Sequence, residues 1–196
     1  MIKKNNFWKG KKIFITGHTG FKGSWLCILL LQLKSIIAGY SLSPKKKSLF
    51  NILELKNLIK YNYYANIKDF NNLKKKIFHF KPDIIFHLAA QPLVIESYLA
   101  PHNTFDTNFR GTLNLLEIVR SLKYKGTLII ITTDKVYKIK KKTKKFIKET
   151  DLIGSTDPYG TSKACCELLA ESYHNSFFSK KENYFNLAVA RSGNVI

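Results

Sequence analysis

Thr133-Asp134-Lys135 puts a hydroxyl, a carboxyl and an amine on three consecutive residues. Tyr159-Gly-Thr-Ser-Lys163 puts a phenol and a second amine four residues apart. Residues four apart share a helix face, and an ammonium beside a phenol favours phenolate. Tyr159 with Lys163 therefore reads as a base for a hydroxyl proton. A Tyr-x-x-x-Lys pair is common by chance. It gains weight here from following an acid and an amine suited to taking a second proton and releasing water. Alone, Asp134 and Lys135 read as a solvated turn pair. With the phenol they point to an elimination.

These groups lie downstream of Gly17-His-Thr-Gly20-Phe-Lys-Gly23, a glycine-rich turn between an apolar strand, Lys12–Thr16, and a helix, Ser24–Leu33. That context is the one a dinucleotide fingerprint requires. Gly17 allows the tight turn, Gly20 lets backbone approach a pyrophosphate, and Gly23 lets the helix pack on the sheet. The phosphates face the unpaired N–H groups of the helix N-terminus. A nicotinamide dinucleotide adds hydride transfer to the proton chemistry. The acidic residue usual about twenty positions on is replaced by Tyr40 and Ser41. Ser41 is suited to a ribose hydroxyl, while Lys45, Lys46 and Lys47 favour a 2′-phosphate, so NAD and NADP both remain open on these residues.

Strands are expected at Lys12–Thr16, Ile36–Leu42, Tyr63–Ile67, Asp83–Leu88, Gly126–Thr133 and Leu187–Arg191. Helices are expected at Ser24–Leu33, Leu49–Ile59, Asp69–Phe80, Thr104–Leu122 and Pro158–Tyr173. This alternation predicts an α/β fold with a doubly wound parallel sheet. The C-terminal strand ends then line the ligand crevice, where Thr133, Asp134 and Lys135 fall. The apolar run Trp25–Leu33 reads as a buried helix, and Lys138–Lys148 as solvated surface. His87 reads as a strand-end core residue, His18 as positioning backbone, and Cys165 and Cys166 as helix packing.

The chain has 196 residues and a formal net charge of +20, which raises the question of nucleic acid. All but three of its basic residues (Arg110, Arg120 and Arg191) are lysine, and Lys, Asn and Ile are enriched together, as coding bias toward A and T would produce. Nucleic-acid surfaces recruit arginine for its planar fork. The charge is therefore read as attracting an anionic nucleotide substrate, not nucleic acid. Cys27, Cys165 and Cys166 show neither disulfide nor metal spacing, which suits a reducing cytoplasm. No apolar run is long enough to span a bilayer.

Taken together these residues resemble the extended short-chain dehydrogenase/reductase superfamily and, within it, the CDP-glucose 4,6-dehydratase family. The resemblance runs from Phe7-Trp-Lys-Gly-Lys through Gly17-His-Thr-Gly-Phe-Lys-Gly-Ser-Trp25. It continues in Gly39-Tyr-Ser-Leu42, residues 82–94, Thr133-Asp-Lys-Val-Tyr137, Asp157-Pro-Tyr-Gly-Thr-Ser-Lys-Ala164 and Arg191-Ser-Gly-Asn-Val-Ile196. Lys135 stands where most sugar-nucleotide dehydratases carry Glu. The resemblance implies conversion of CDP-glucose to CDP-4-dehydro-6-deoxyglucose for deoxysugar and lipopolysaccharide biosynthesis. Thr133 binds the sugar 4-hydroxyl, Tyr159 with Lys163 removes its proton as C4 gives hydride to NAD, Lys135 takes the C5 proton, and Asp134 protonates the leaving 6-hydroxyl. Such roles call for a neutral Lys135, its pKa depressed by burial or neighbouring cations, and a protonated Asp134.

The same resemblance implies cofactor contacts from Gly17, Thr19, Gly20, Phe21, Lys22, Gly23, Ser41, Asn66, Ile67, Leu88, Ala89, Ala90, Gln91, Tyr159 and Lys163. It adds a substrate contact from Asn194 and a homodimer through helices 104–122 and 158–173. Three departures stand out. Asn66 replaces a frequent Asp, Ile95 a frequent Arg, and the family continues past this point into a smaller substrate-binding domain. Residues 1–196 are expected to be one Rossmann-type domain that stops before it. The competing readings are a nucleotide-sugar 4-epimerase, which has no use for Asp134 and Lys135, another sugar-nucleotide dehydratase, and a non-catalytic NAD-binding remnant.

Overall fold

The computed structural model describes residues 6–138, 146–179 and 184–195. Six strands form one parallel sheet: β1 (Lys12–Thr16), β2 (Ile36–Ser41), β3 (Tyr61–Tyr64), β4 (Ile84–His87), β5 (Gly126–Thr133) and β6 (Phe185–Ser192), in the order β3-β2-β1-β4-β5-β6. The helices are α1 (Phe21–Gln32), α2 (Leu49–Ile52), α3 (Leu55–Leu58), α4 (Phe70–Phe80), α5 (Val94–Leu99), α6 (Pro101–Phe105), α7 (Gly111–Arg120) and α8 (Pro158–Tyr173). This is the doubly wound architecture expected from the strand–helix alternation. The connections leaving β1 and β4 run to opposite sides, so a crevice opens at the C-terminal ends of these two neighbours.

Two apolar clusters enclose the sheet. One joins Phe14, Tyr40, Leu73, Ile77, Leu115, Leu116 and Leu128 with other side chains of α4, α7 and α8. The other joins Ile13, Ile15, Cys27, Leu30, Ile37 and Phe50 beneath α1 to α3. The short central strands are buried almost throughout because both faces carry helices.

Several boundaries differ from expectation. Strand β3 begins two residues early, where Tyr61 pairs with Ala38 and both Tyr61 and Tyr63 pack on the core. Asn66 then turns the chain, its side-chain carbonyl accepting from the Lys68 N–H. Helix α5 was not foreseen, and α6 starts at Pro101, where proline fits a first turn. Between α6 and α7 the helix widens into a π-helical turn, Asp106–Arg110. Helix α1 is not buried throughout: Trp25 is 51% and Leu29 43% exposed, because only one side of it meets the sheet. Of Lys138–Lys148, residues 139–145 lie outside the described residues, as does Ile196; Lys138 and residues 146–148 are exposed.

The turn after β1 depends on two glycines. Gly17 has φ +78°, and a Cβ there would come within 2.7 Å of the Ala89 nitrogen. A Cβ on Gly23 would overlap the Gly17 carbonyl, which lies under the first turn of α1. Gly23→Ala is expected to cost roughly 3 kcal/mol, the scale of a forced backbone shift in a packed region. Calorimetric or circular-dichroism melting checks this; a melting midpoint equal to the parent's contradicts it.

Candidate functional site

The first turn of α1 opens on the crevice. Its N-cap, Gly20, is exposed and offers no side-chain cap to the helix's first N–H groups. A Cβ on Gly20 meets only the Gly17 oxygen, at 3.3 Å. Backbone donors and a positive dipole end thus face open space, a cradle that fits a pyrophosphate. Thr19 borders it, its hydroxyl bonded to the Ser41 hydroxyl at the end of β2 and to the Leu42 carbonyl at 3.0 Å. Ser41, expected at a ribose, is 8% exposed with its hydroxyl engaged by Thr19 and by the Leu42 carbonyl, and Tyr40 is fully buried. Asn66 is exposed beyond β3. Ile67 is buried against Gly111 of α7 and acts in packing. Phe21 is 48% exposed on the first turn of α1.

The opposite wall is the chain leaving β4, and a directed hydrogen-bond string fixes it. Thr112 of α7 gives its hydroxyl hydrogen to the Asn108 carbonyl at 2.7 Å, with the Cys166 sulfur farther off at 3.4 Å. Thr112 therefore accepts from His87 Nε2–H at 3.0 Å. The bare Nδ1 of His87 accepts from the Thr16 hydroxyl at 2.7 Å, and the Thr16 oxygen is left to accept from the Ala89 N–H at 3.2 Å. Each donor has one acceptor in this order. Asn108, also buried, accepts from the Gln91 N–H at 2.7 Å and donates to the Gln91 carbonyl and to Ser162. Leu88, Ala89, Ala90 and Gln91 are thereby tied to β1, the π-helical turn and α8.

Sequence reasoning passed over Thr16, Asn108 and Thr112. The available signal was a run of buried polar residues facing one another across elements. His87 was read as core, and it is wholly buried. Burial drives its pKa down to about 3, with the Lys163 charge adding to the effect. His18 is held at about 4 by burial, despite its bond to Asn62.

At the end of β5 the structure brings Thr133, Asp134, Lys135, Tyr159 and Lys163 together. Asp157 caps α8 by accepting from the Gly160 N–H at 2.8 Å, which starts the helix one residue before Tyr159. Thr133 donates to the Asp134 carboxylate at 3.0 Å. Asp134 and Lys135 stand 3.8 Å apart, with side chains 58% and 37% exposed, so the burial expected around Lys135 is absent. Lys135 Nζ also donates to Asn194 Oδ1 at 3.3 Å.

Lys163 is buried, and its ammonium donates to the Ile131 carbonyl at 2.9 Å, not to the phenol. The expected lowering of the Tyr159 pKa is accordingly not found. Burial pushes it up, and a hydrogen bond with Thr133 pulls the other way. Burial also lowers Lys163.

Lys22, expected among the cofactor contacts, reaches to the end of β6, donating to Ser192 Oγ at 2.8 Å and to the Gly193 carbonyl. Strand β6 is clamped further back by Arg191, which meets Glu167 of α8 at 2.6 Å, donates to the Glu149 carbonyl and lies over the Tyr137 ring. Among the described residues no group of three or more His, Cys, Asp or Glu side chains is arranged to hold a metal.

The two buried histidines set a pH dependence. Each stays neutral in the fold to well below the ordinary value of 6.5. As pH falls through 6.5 the unfolded chain gains protons that the folded chain refuses, so stability declines. The expected slope is roughly 1.4 kcal/mol per pH unit for each histidine between about pH 6.5 and the folded values. Denaturant titrations from pH 7 to pH 4, on the parent and on His87→Gln, measure it. A parent slope equal to that of the variant contradicts a neutral His87.

Three comparisons bear on this arrangement. The GDP-mannose 4,6 dehydratase family model matches residues 14–194. A CDP-glucose 4,6-dehydratase from Salmonella typhimurium is 44% identical over the whole of this chain and 55% of its own length. A GDP-mannose 4,6-dehydratase from Yersinia enterocolitica is 28% identical over 85% of this chain and 46% of its own. The chain thus spans about half the length of the curated relatives it matches. Among solved structures, Pal from Bacillus thuringiensis superposes with a TM-score of 0.78 at 28% identity, over 92% of this chain and 55% of that one. A UDP-glucose 4-epimerase from Brucella ovis, solved in complex with NAD, has a TM-score of 0.78 at 20% identity over 94% and 52%, a likeness of fold.

Proposed function

We propose, from the premise that the chain belongs to the GDP-mannose 4,6-dehydratase family, that it is the dinucleotide-binding part of a lyase that dehydrates CDP-glucose to CDP-4-dehydro-6-deoxyglucose, with NAD as its bound cofactor. The observation that carries this reading is the convergence of Thr133, Asp134 and Lys135 with Tyr159 and Lys163 beside an uncapped helix N-terminus. The 44% identity to a protein named CDP-glucose 4,6-dehydratase supports the choice of nucleotide sugar. An epimerase has no role for an acid and an amine at this strand end, and the Asp134–Lys135 pair favours the dehydratase.

In this reading NAD, held at the open first turn of α1 around Gly20, would supply the hydride chemistry, oxidation at C4 and reduction at C6. The protein moves the protons. Thr133 orients the sugar 4-hydroxyl and Tyr159, as phenolate, takes its proton. The resulting 4-keto group acidifies C5–H. Asp134 and Lys135 form a pair, so one proton passed from the ammonium to the carboxylate readies both without changing their net charge. Lys135 then takes the C5 proton, and Asp134 protonates the departing 6-hydroxyl, which leaves as water. Lys135 returns its proton to C5 as hydride reaches C6. Tyr159 is left protonated and Asp134 ionised, and Thr133, bonded to both, offers the path that resets them. The raised pKa of Tyr159 means that phenolate grows with pH, so the first step gains rate on the alkaline side.

The test joins this chain to the remaining part of the Salmonella typhimurium relative and incubates the product with NAD and CDP-glucose. A 4-keto-6-deoxy sugar is expected. Lys135→Ala should slow its formation roughly 10²- to 10⁴-fold, the usual worth of a general base, while reduced nicotinamide accumulates in a single turnover. Dehydration by the variant at the parent rate removes Lys135 from the mechanism.

A further inference from the structure

Lys22 belongs by position to the phosphate turn and by contact to the other end of the chain. It lies in the first turn of α1, and its ammonium donates to Ser192 Oγ at 2.8 Å and to the Gly193 carbonyl at 3.3 Å. Ser192 is the last residue of β6. One residue past Gly193, Asn194 Oδ1 accepts from Lys135 Nζ at 3.3 Å, and Lys135 stands 3.8 Å from Asp134. Two lysine amines, one from α1 and one from the turn after β5, therefore grip the same three residues, 192–194. The charges that face Lys22 come from two further elements: Asp134 and Lys135 from the turn after β5, and Lys163 from α8.

The geometry has a direct consequence. Ser192 closes β6, and residues 193–194 leave it with no sheet partner beyond the Thr133↔Ser192 pair. Their placement rests on side chains that reach them. Without Lys22, the Asn194 amide that orients Lys135 has no anchor on the dinucleotide side of the crevice. We propose that Lys22 is a positioning residue, which pins residues 192–194 to the dinucleotide turn and so fixes where Asn194 holds the Lys135 amine. Its functional meaning rests on the reading of Asp134 and Lys135 as proton-transfer groups; the clasp itself does not. An anion arriving at the turn meets the same ammonium, so phosphate binding and the placement of Lys135 are coupled through one side chain.

Burial holds the Lys22 ammonium below the ordinary lysine range, with Lys135 pushing the same way and Asp134 opposing. This makes the clasp measurable without turnover, so its failure is distinguishable from failure of the dehydratase reading. Amine acylation by acetic anhydride, read for each lysine by mass spectrometry across pH, is compared in the 196-residue chain, Lys135→Met and Asp134→Asn. The midpoint for Lys22 should move up in Lys135→Met and down in Asp134→Asn, each by roughly half a pH unit. Hydrogen exchange at residues 193–195 should quicken about tenfold in Lys22→Met, the loss of one charge-assisted hydrogen bond. Lys22→Arg, which keeps charge and donors, should restore it to within about threefold. An identical Lys22 profile in the first three proteins, or unchanged exchange in Lys22→Met, overturns the proposal. If Lys22→Met does not fold, Ser192→Ala, which removes the acceptor of the same hydrogen bond, takes its place in the exchange experiment with the same expected and contrary results.

Discussion

The close approach of the turn after β1 to the chain leaving β4 is the contact on which the rest of the structure depends. Gly17 sits against Ala89 with no room for a Cβ, and Thr16 reaches His87 and Ala89 across the same seam. Since β1 and β4 are sheet neighbours whose connections diverge, that seam is the floor of the crevice. The uncapped end of α1 stands on one side of it and the end of β5 on the other. A side chain at Gly17 would force the two strands apart at the floor of the crevice.

Charge is arranged around this seam with little waste. His87 lies inside it as a neutral ring that donates on one edge and accepts on the other, so it transmits position without adding charge. Lys163 is buried and spends its donor on the Ile131 carbonyl, near the end of β5. One turn along α8, Glu167 is almost fully buried and is met by Arg191 of β6 and by Thr132 of β5. Breaking a buried pair strands a charge and typically costs about 3–5 kcal/mol. That penalty holds β6 to α8 and fixes the direction in which residues 192–194 leave the sheet.

The strand-to-helix turn, β5 and α8 were legible in the sequence because their signals are local: an apolar run, three glycines, a proline after an aspartate cap. The grouping of Thr133, Asp134 and Lys135 with Tyr159 was legible for the same reason, since each sits beside such a signal. Tyr61 was missed as the start of β3 because Tyr61, Asn62 and Tyr63 are all part-buried, so no clean alternation appears. Trp25 misled because an apolar helix that contacts the sheet on one side reads like one buried on all sides. The Thr16–His87–Thr112 string, the Asn108 amide, the Lys22 clasp and the Lys163–Ile131 bond join residues far apart in sequence. Single-residue types do not announce such pairings; only the topology that brings the strand ends together does.

In the proposed reading the open face of the turn, at Gly20, receives the cofactor's pyrophosphate, whereas Gly17 and Gly23 serve the fold. The direct measurement is calorimetric titration of NAD into the parent chain and into Gly20→Leu, with melting curves of both. The expected result is binding by the parent, at least about a tenfold loss in the variant, and melting midpoints within about 2 °C of each other. Equal NAD affinity in the two proteins would contradict it.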